Sequence, residues 1–216
     1  MKQTQINYLI LTAVLITLFC IYNSLPPTSS NEIFANEKIK NDKINQVSSR
    51  FGSKYSYKIV QFYKSIRAKD FKGAKKYSQN NEDILIVALW EFLGLKRPGY
   101  YVEFGTQDGS QINTRLLRES YQWKGLLLDG SNQNSSINLQ KEFIRHDNVL
   151  DLFAKYNVPI DLDLFSEDTD YADYWIVESV LEKYKPKIVV HEINQQKPLT
   201  CVTVEKPSKS IYFDSK

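Results

Sequence analysis

Acidic and amide side chains stand at the ends of four successive apolar runs in this chain. Glu103 lies at the end of "YYVEF" and Asp129 at the end of "GLLLD". The later runs end on two further pairs of such residues: Asp168 and Asp170, then Glu192 and Asn194. Any one of these could cap a helix or belong to a turn. Together they indicate a site, since such groups accept hydrogen bonds, take protons and hold hard cations.

The loop after Glu103 indicates what kind of ligand this site would take. Gly105 and Gly109 stand four residues apart in "EFGTQDG", in a chain with only 8 glycines. This spacing differs from the G-x-G-x-x-G loop that cradles a pyrophosphate. We expect Gly105 to allow a tight turn and Gly109 to leave room for a ligand. Asp129 could accept hydrogen bonds from both hydroxyls of a ribose.

A ligand with an amino group, a carboxylate and a ribose would suit these residues, and S-adenosylmethionine carries all three. The alternative is a strand–turn–helix connection in which the glycines serve backbone geometry alone.

Strand-like and helical patterns alternate around these residues. Strands are predicted at 99–104, 125–130, 161–168 and 187–194, and helices at 83–95, 112–121, 137–144 and 174–184. Alternation of this kind predicts an α/β fold with a Rossmann-like, doubly wound and mostly parallel sheet. Ligands of such sheets bind beyond the carboxyl ends of the strands. The acidic residues are therefore expected to lie together at one edge of the sheet.

The amino-terminal part has a different composition. Residues 6–25 are almost wholly apolar and long enough to span a bilayer, which predicts a signal anchor over 1–25 with a short cytosolic tail. Residues 26–50 are rich in Asn, Ser, Lys and Glu, which is typical of a disordered stem. The remaining domain, 51–216, is expected in the endomembrane lumen. With 28 basic and 25 acidic residues, the charge balance argues against a nucleic-acid partner.

Five stretches between Tyr77 and about Asn194 carry a family resemblance. They read "YSQNNEDILIVALWEFLG", "YYVEFGTQDGSQINTRLL", "WKGLLLDGS", "DLDLFSEDTDYADYWIVESVL" and "KPKIVVHEIN". In this order they resemble the FkbM-type methyltransferases, a class I family that uses S-adenosylmethionine. The resemblance implies O-methylation of a hydroxyl on a sugar or other small molecule. It also implies a set of residues around the cofactor: Glu103, Gly105, Thr106, Asp108, Gly109 and Asp129.

The resemblance directs attention to two routes for removing the proton of the acceptor hydroxyl. Asp168, Glu192 and Asn194 could supply three oxygen ligands to a magnesium ion, which would lower the pKa of that hydroxyl. Alternatively, Asp170 or Asp173 could act as a direct base. Capping of the following helix is the simpler interpretation of Asp173.

The chain departs from the family pattern in two places, at Glu167 and Tyr171 and after Asn194. Glu167 and Tyr171 stand where the family commonly has an apolar residue and a glycine. His191 is expected to pack against a helix rather than act as a base. Little sequence follows Asn194, so the sheet is expected to lack its last strands. A membrane-tethered binding module without catalytic activity is therefore the competing interpretation.

Overall fold

The computed structural model describes residues 58, 60–62, 65–66, 75–95, 98–169 and 173–191. They divide into two compact units. One comprises the chain up to Pro98 together with Gln111–Trp123, and the other comprises Gly99–Ser110 together with the chain from Lys124. No helix among the described residues is long and apolar enough to cross a membrane. The predicted anchor and stem, residues 1–50, lie outside the described residues.

The first unit contains helix α1, Glu82–Phe92, and helix α2, Arg115–Tyr121. The apolar residues of α1 are buried on most of its faces, as predicted. Trp90 at the end of α1 meets Trp123 edge to face, with ring centroids 4.4 Å apart. The start of α1 is fixed by the buried carboxylate of Asp83, which accepts hydrogen bonds from the Tyr77 N–H at 2.6 Å and the Ser78 hydroxyl at 2.8 Å.

The second unit is built on a five-stranded sheet of order β3-β2-β1-β4-β5. The strands are β1 Tyr100–Phe104, β2 Lys124–Asp129, β3 Leu139–Lys141, β4 Leu164–Glu167 and β5 Ile188–His191. All four pairings between neighbouring strands are parallel. A parallel sheet with helices is consistent with the predicted Rossmann-like α/β fold. Since every pairing is parallel, the strands present their carboxyl ends at the same edge.

Helix α3, Val149–Lys155, and helix α4, Asp173–Lys183, belong to the same unit. Phe153 of α3 packs edge to face against Phe104 of β1 and Phe165 of β4, with ring centroids 5.9 Å away in both cases. Tyr184, which follows α4, meets Phe153 at 4.7 Å. These fully buried rings form the apolar core on one face of the sheet.

The amino ends of the central strands are held together by one acid. Asp163 Oδ2 accepts a hydrogen bond from the Tyr100 N–H at 2.8 Å, and Asp163 Oδ1 accepts one from the Lys187 ammonium. Asp163 thus links the chain segments that enter β1, β4 and β5. This link lies at the edge of the sheet opposite to the carboxyl ends, so it stabilises the fold without taking part in the candidate site.

One predicted helix is wrong. Residues 137–144 form the end of a 3-10 helix, Ser135–Ile137, followed by strand β3. Asn138 adopts a left-handed conformation, φ 54°, which ends the helical turn. Leu139 then pairs in parallel with Leu127 and is fully buried. Pairing with β2 therefore outweighed the weak helical spacing of the segment.

Helix α3 was not predicted, although its apolar residues Val149, Leu152 and Phe153 have helical spacing. The other predicted elements are confirmed within a few residues at their ends. β4 is shorter than predicted, since the strand begins only at Leu164. The residues predicted to extend β5 beyond His191 lie outside the described part of the chain.

Candidate functional site

The loop after β1 has an unusual backbone. Gly105, Gln107 and Gly109 all have positive φ angles, of 67°, 46° and 79°. The Gly109 N–H closes the turn by donating to the Thr106 carbonyl at 2.8 Å. The predicted tight turn after Glu103 is therefore present, and it places the peptide groups of the loop at the carboxyl ends of the strands.

Contacts at the two glycines show why neither position accepts a side chain. A Cβ atom at Gly105 would lie 1.7 Å from the carbonyl oxygen of Asp168, so the β1 loop directly abuts the chain that leaves β4. A Cβ atom at Gly109 would lie 2.5 Å from Cδ1 of Ile137. The side chain of Ile137 thus packs closely against Gly109, and the role of this glycine beside a ligand remains a prediction.

Asp129, at the end of β2, ties two loops together. Its Oδ1 accepts hydrogen bonds from the Ser131 N–H at 2.8 Å, the Asn132 N–H at 2.9 Å and the Asn132 side-chain amide at 3.0 Å. Its Oδ2 accepts one from the Gln107 N–H at 2.8 Å. Oδ1 already has a full set of donors, whereas Oδ2 can accept one more hydrogen bond. Oδ2 therefore has room for one further donor, and the contact of Asp129 with a ribose remains a prediction.

The hydroxyl group of Thr106 in this loop has no hydrogen-bond partner. The residue is only 2% exposed, and its hydroxyl oxygen is buried without a hydrogen-bond partner. A buried hydroxyl without a partner is costly, which is why such groups often mark the place of a ligand or water. Glu103 is buried beside this loop, whereas Asp108 is exposed and accepts a hydrogen bond from the Ser110 N–H at 2.9 Å.

A second cluster of polar groups lies at the carboxyl ends of β4 and β5. Glu167 is 1% exposed and stands beside His191 in the register of the two strands. Its Oε2 lies 3.1 Å from Nδ1 of His191, and its Oε1 lies 2.6 Å from the Thr169 hydroxyl. The Thr169 N–H donates to Asp173 Oδ1 at 2.8 Å, and its hydroxyl lies 3.1 Å from the same oxygen. His191 is therefore held by a buried carboxyl group instead of packing against a helix alone.

Burial controls the ionisation of this cluster. It raises the pKa of Glu167 well above its usual value, and the nearby negative charge of Asp173 adds to this effect. Burial also lowers the pKa of His191, although the charge of Asp173 opposes that change. Both changes favour the uncharged forms of the two side chains.

One arrangement of protons satisfies every contact in that neutral state. In it, His191 would donate from Nδ1–H to Glu167 Oε2, and a protonated Glu167 would donate from Oε1–H to the Thr169 hydroxyl, whereas ionised Glu167 accepts from that hydroxyl. The Thr169 hydroxyl then donates to Asp173 Oδ1. Each donor faces an acceptor in this chain of hydrogen bonds, which is what a buried polar cluster requires.

The predicted catalytic and metal-binding residues are only partly described. Asp168 is exposed, and its carbonyl group abuts Gly105. Asp170, Glu192, Asn194 and Tyr171 lie outside the described residues. Among the residues that the structure describes, no group of three His, Cys, Asp or Glu side chains is placed to hold a metal ion. The magnesium site remains a prediction, because two of its three ligands fall in the part not described.

The sequence contained one signal for the Glu167–His191 pair. Each residue is the polar end of a largely apolar strand: Glu167 follows "DLFS" and His191 follows "KIVV". The strand register that brings them together could not be obtained from a single sequence. Glu167 was noted only as a departure from the family pattern, so its partner was missed.

Replacing Glu167 by glutamine is expected to change how stability depends on pH. A carboxyl group whose pKa is raised by folding contributes stability below its unfolded pKa of about 4.3, and this contribution is lost as pH rises through the folded pKa. The amide of Glu167→Gln keeps both hydrogen bonds but does not ionise. The variant should therefore gain stability relative to the native protein as pH rises, by at most about 1.4 kcal/mol per pH unit.

Urea unfolding of both proteins between about pH 4 and 8 measures this difference. Glu142→Gln serves as a control of opposite sign, since hydrogen bonds from Lys155 and Tyr156 lower the pKa of Glu142. The stability that ionised Glu142 contributes to the native protein is present at neutral pH and is lost on acidification. If the Glu167→Gln difference did not vary with pH, a raised pKa at Glu167 would be ruled out.

The chain was compared with known proteins in three ways. No protein-family model, no curated protein and no solved structure matches it. Its function is accordingly argued from the residues of the site and from the sequence resemblance.

Proposed function

We propose that this chain binds S-adenosylmethionine over the carboxyl ends of β1 and β2 and methylates a hydroxyl group of a sugar or other small molecule. The resemblance to FkbM-type methyltransferases over Tyr77 to about Asn194 supports this proposal. So does the parallel sheet, whose strands carry Glu103 and Asp129 at their carboxyl ends. Ligands of open α/β sheets bind at this edge.

The observation that carries the proposal is the buried, unpartnered hydroxyl of Thr106 in the loop between Glu103 and Asp129. That loop provides one unsatisfied hydroxyl, and Asp129 Oδ2 provides a free acceptor position on the neighbouring strand. A ligand that carries both donors and acceptors, such as a ribose with an amino acid moiety, would satisfy both. The residues present therefore fit the cofactor.

Bound S-adenosylmethionine would supply a methyl group made electrophilic by a sulfonium centre. The chain would bind the cofactor, orient the acceptor oxygen in line with it and receive the proton of the acceptor. The β1 loop and Asp129 would bind the cofactor. The polar groups at the ends of β4 and β5 lie on the neighbouring strands and are available to orient the acceptor oxygen and to receive its proton.

Thr106→Val is expected to separate cofactor binding from folding. Valine has nearly the shape of threonine but no hydroxyl, so the variant removes an unsatisfied buried group, and the free energy of unfolding should rise by about 1 kcal/mol. If the hydroxyl contacts the cofactor, affinity for S-adenosylmethionine should fall by about tenfold, which corresponds to 1.4 kcal/mol. Isothermal titration calorimetry on the full chain measures the affinity.

Thr114→Val is the matched control, since Thr114 is also fully buried but its hydroxyl is not among the buried groups without a partner. This control should lose stability and keep the native affinity. Unchanged affinity in Thr106→Val would remove Thr106 from the site. Absence of binding to the native chain would instead favour the tethered module without catalytic activity.

The proposal includes anchorage by residues 6–25, with the domain in the lumen of the endomembrane system. The full chain should resist extraction from membranes by alkaline carbonate, and removal of residues 1–30 should yield protein that needs no detergent. Release of the intact full chain by carbonate would contradict the anchor.

A further inference from the structure

Resting on the lumenal orientation that forms part of the proposed function, we infer that Asn134 carries an N-linked oligosaccharide at the outer edge of strand β3. Asn134-Ser135-Ser136 is the only N-x-S/T sequence in the chain, and its middle residue is not proline. It lies in the connection between β2 and β3, apart from the residues assigned to the cofactor and the acceptor. The inference therefore goes beyond the proposed function.

The sequence Asn134-Ser135-Ser136 lies on the surface of the unit that contains the sheet. Residues 133–136 are all exposed. Asn134 precedes the 3-10 helix Ser135–Ile137 and has an extended backbone, with a φ angle of -152° and a ψ angle of 104°. Since an N-linked glycan is bulky and hydrophilic, a folded protein accommodates it only at an exposed position of this kind.

The side-chain oxygen of Asn134 is engaged, whereas its amide nitrogen is not. Oδ1 accepts hydrogen bonds from the Ser136 hydroxyl at 2.7 Å and from the Ser136 N–H at 3.1 Å. A backbone N–H can only donate, which identifies the accepting atom as the oxygen. Nδ2 has no hydrogen-bond partner in the described part of the chain. A glycan on Nδ2 leaves Oδ1 as an acceptor, so both bonds to Ser136 persist.

Asn134 differs in this respect from other asparagines of the same region. Three of them use their amide nitrogens in hydrogen bonds of 2.7 to 3.0 Å within the fold: Asn132 donates to Asp129, Asn138 to Gly125 and Asn148 to Phe143. A sugar on any of these nitrogens would replace a hydrogen atom that the fold uses. Of the four asparagines, Asn134 alone can be modified without losing a hydrogen bond.

The backbone of Asn134 lies beyond the outer edge of the sheet. β3 stands at one end of the strand order, with β2 on its inner side. Asn134 and Leu139 exchange two backbone hydrogen bonds of 2.9 Å in an antiparallel bridge, so Asn134 flanks the start of β3. Neighbouring strands lie about 4.8 Å apart, so Asn134 is roughly 10 Å from β2. A glycan at this position leaves the carboxyl ends of β1 and β2 accessible.

The transfer step takes its sugar from a lipid-linked oligosaccharide pyrophosphate and is catalysed by a transferase of the lumenal membrane. Nδ2 of Asn134 forms a bond to the anomeric carbon, and the bond between that carbon and the pyrophosphate oxygen breaks. Its electron pair leaves with the lipid pyrophosphate, and one amide proton passes to a base of the transferase. Ser136 supplies the hydroxyl required at the third position. Because transfer occurs as the chain enters the lumen, the fold has only to accommodate the product.

The first test asks whether Asn134 is modified. The full chain translated with microsomes should migrate more slowly on a denaturing gel, and endoglycosidase should abolish this shift. Asn134→Gln and Ser136→Ala each destroy the sequence that the transferase recognises, so both should lose the shift. Ser135→Ala is the matched control, since it retains Asn134 and the Ser136 hydroxyl and should keep the shift.

Protease added outside the microsomes separates the two possible causes of an unshifted native chain. If the domain were protected from the protease, Asn134 would be lumenal but unmodified, and the inference would be overturned. If the domain were digested, the inference would be overturned together with the lumenal orientation. Neither result bears on the binding of S-adenosylmethionine, which is measured separately.

The second test asks whether the glycan lies away from the cofactor site. Calorimetry with S-adenosylmethionine should give the same affinity for the glycosylated full chain and for Asn134→Gln. A severalfold weaker affinity of the glycosylated chain would contradict the position at the outer edge of β3. Absence of binding to both proteins would contradict the methyltransferase proposal and leave the glycan, established by the first test, in place.

Discussion

Gly105→Ala is expected to be among the most destabilising single substitutions in the chain. The added methyl group would lie 1.7 Å from the Asp168 carbonyl oxygen, and the residue would have to keep a φ angle of 67°. The left-handed conformation costs a residue with a side chain about 1–2 kcal/mol, and forced repacking costs about 1–3 kcal/mol more. The sum predicts a loss of about 2–5 kcal/mol in the free energy of unfolding.

Gly94→Ala provides the control for this experiment. Gly94 also has a positive φ angle, of 70°, but a Cβ atom there would meet nothing within 4 Å. Gly94→Ala should therefore lose only the stability that the left-handed conformation costs. The difference in the free energy of unfolding between the two variants then isolates the contact with Asp168. Urea unfolding of both variants measures that difference. Equal losses would show that the β1 loop does not abut the chain leaving β4.

The contact at Gly105 illustrates how much of the site could be predicted. The glycine pattern after a strand that ends in Glu103 correctly predicted a tight turn. It could not reveal that Asp168 lies against this turn, because that contact depends on the pairing of β1 with β4. Similarly, Gly109 was expected to leave room for a ligand, but its close contact with Ile137 could not be foreseen, because Ile137 lies 28 residues further along the chain.

The sheet was predictable where its strands were long apolar runs with an acid at the end. β1 and β2 have this pattern, and both were found close to their predicted bounds. β3 has only three residues, and its burial depends on pairing with β2, so local spacing was a poor guide. The Glu167–His191 pair is a contact across strands of the same kind. Residue types were visible in the sequence, whereas the distances between them required the fold.

Asp129 shows why the chemistry of a residue and its contribution to stability have to be separated by experiment. From the sequence, Asp129 was expected to hold a ribose. Its carboxylate accepts four hydrogen bonds, three of them to the turn after β2 and one to Gln107 in the β1 loop. Hydrogen bonds to a charged group contribute about 1.5–3 kcal/mol each and are not additive. Asp129→Ala should therefore lose about 3 kcal/mol or more of stability as well as affinity for the cofactor.

Asp129→Asn distinguishes the two roles more sharply. Its remaining oxygen can still face the Ser131 and Asn132 donors, while the new amide group faces the Gln107 N–H and can no longer accept from it. The variant should keep the turn after β2, lose part of the stability and bind S-adenosylmethionine about tenfold or more weakly, because Oδ2 is the only oxygen with room for a ribose hydroxyl.

Calorimetry and urea unfolding on the same preparations test both expectations, with Asp161→Ala as a control at an exposed acid outside the site. If Asp129→Asn bound the cofactor as tightly as the native chain, Asp129 would have no contact with the ribose and would serve only to join the two loops. If Asp129→Ala unfolded at the same urea concentration as the native chain, the hydrogen bonds to the loops would contribute nothing to stability. The first result would contradict the assignment of the cofactor site, and the second would contradict the structural role derived from the four contacts.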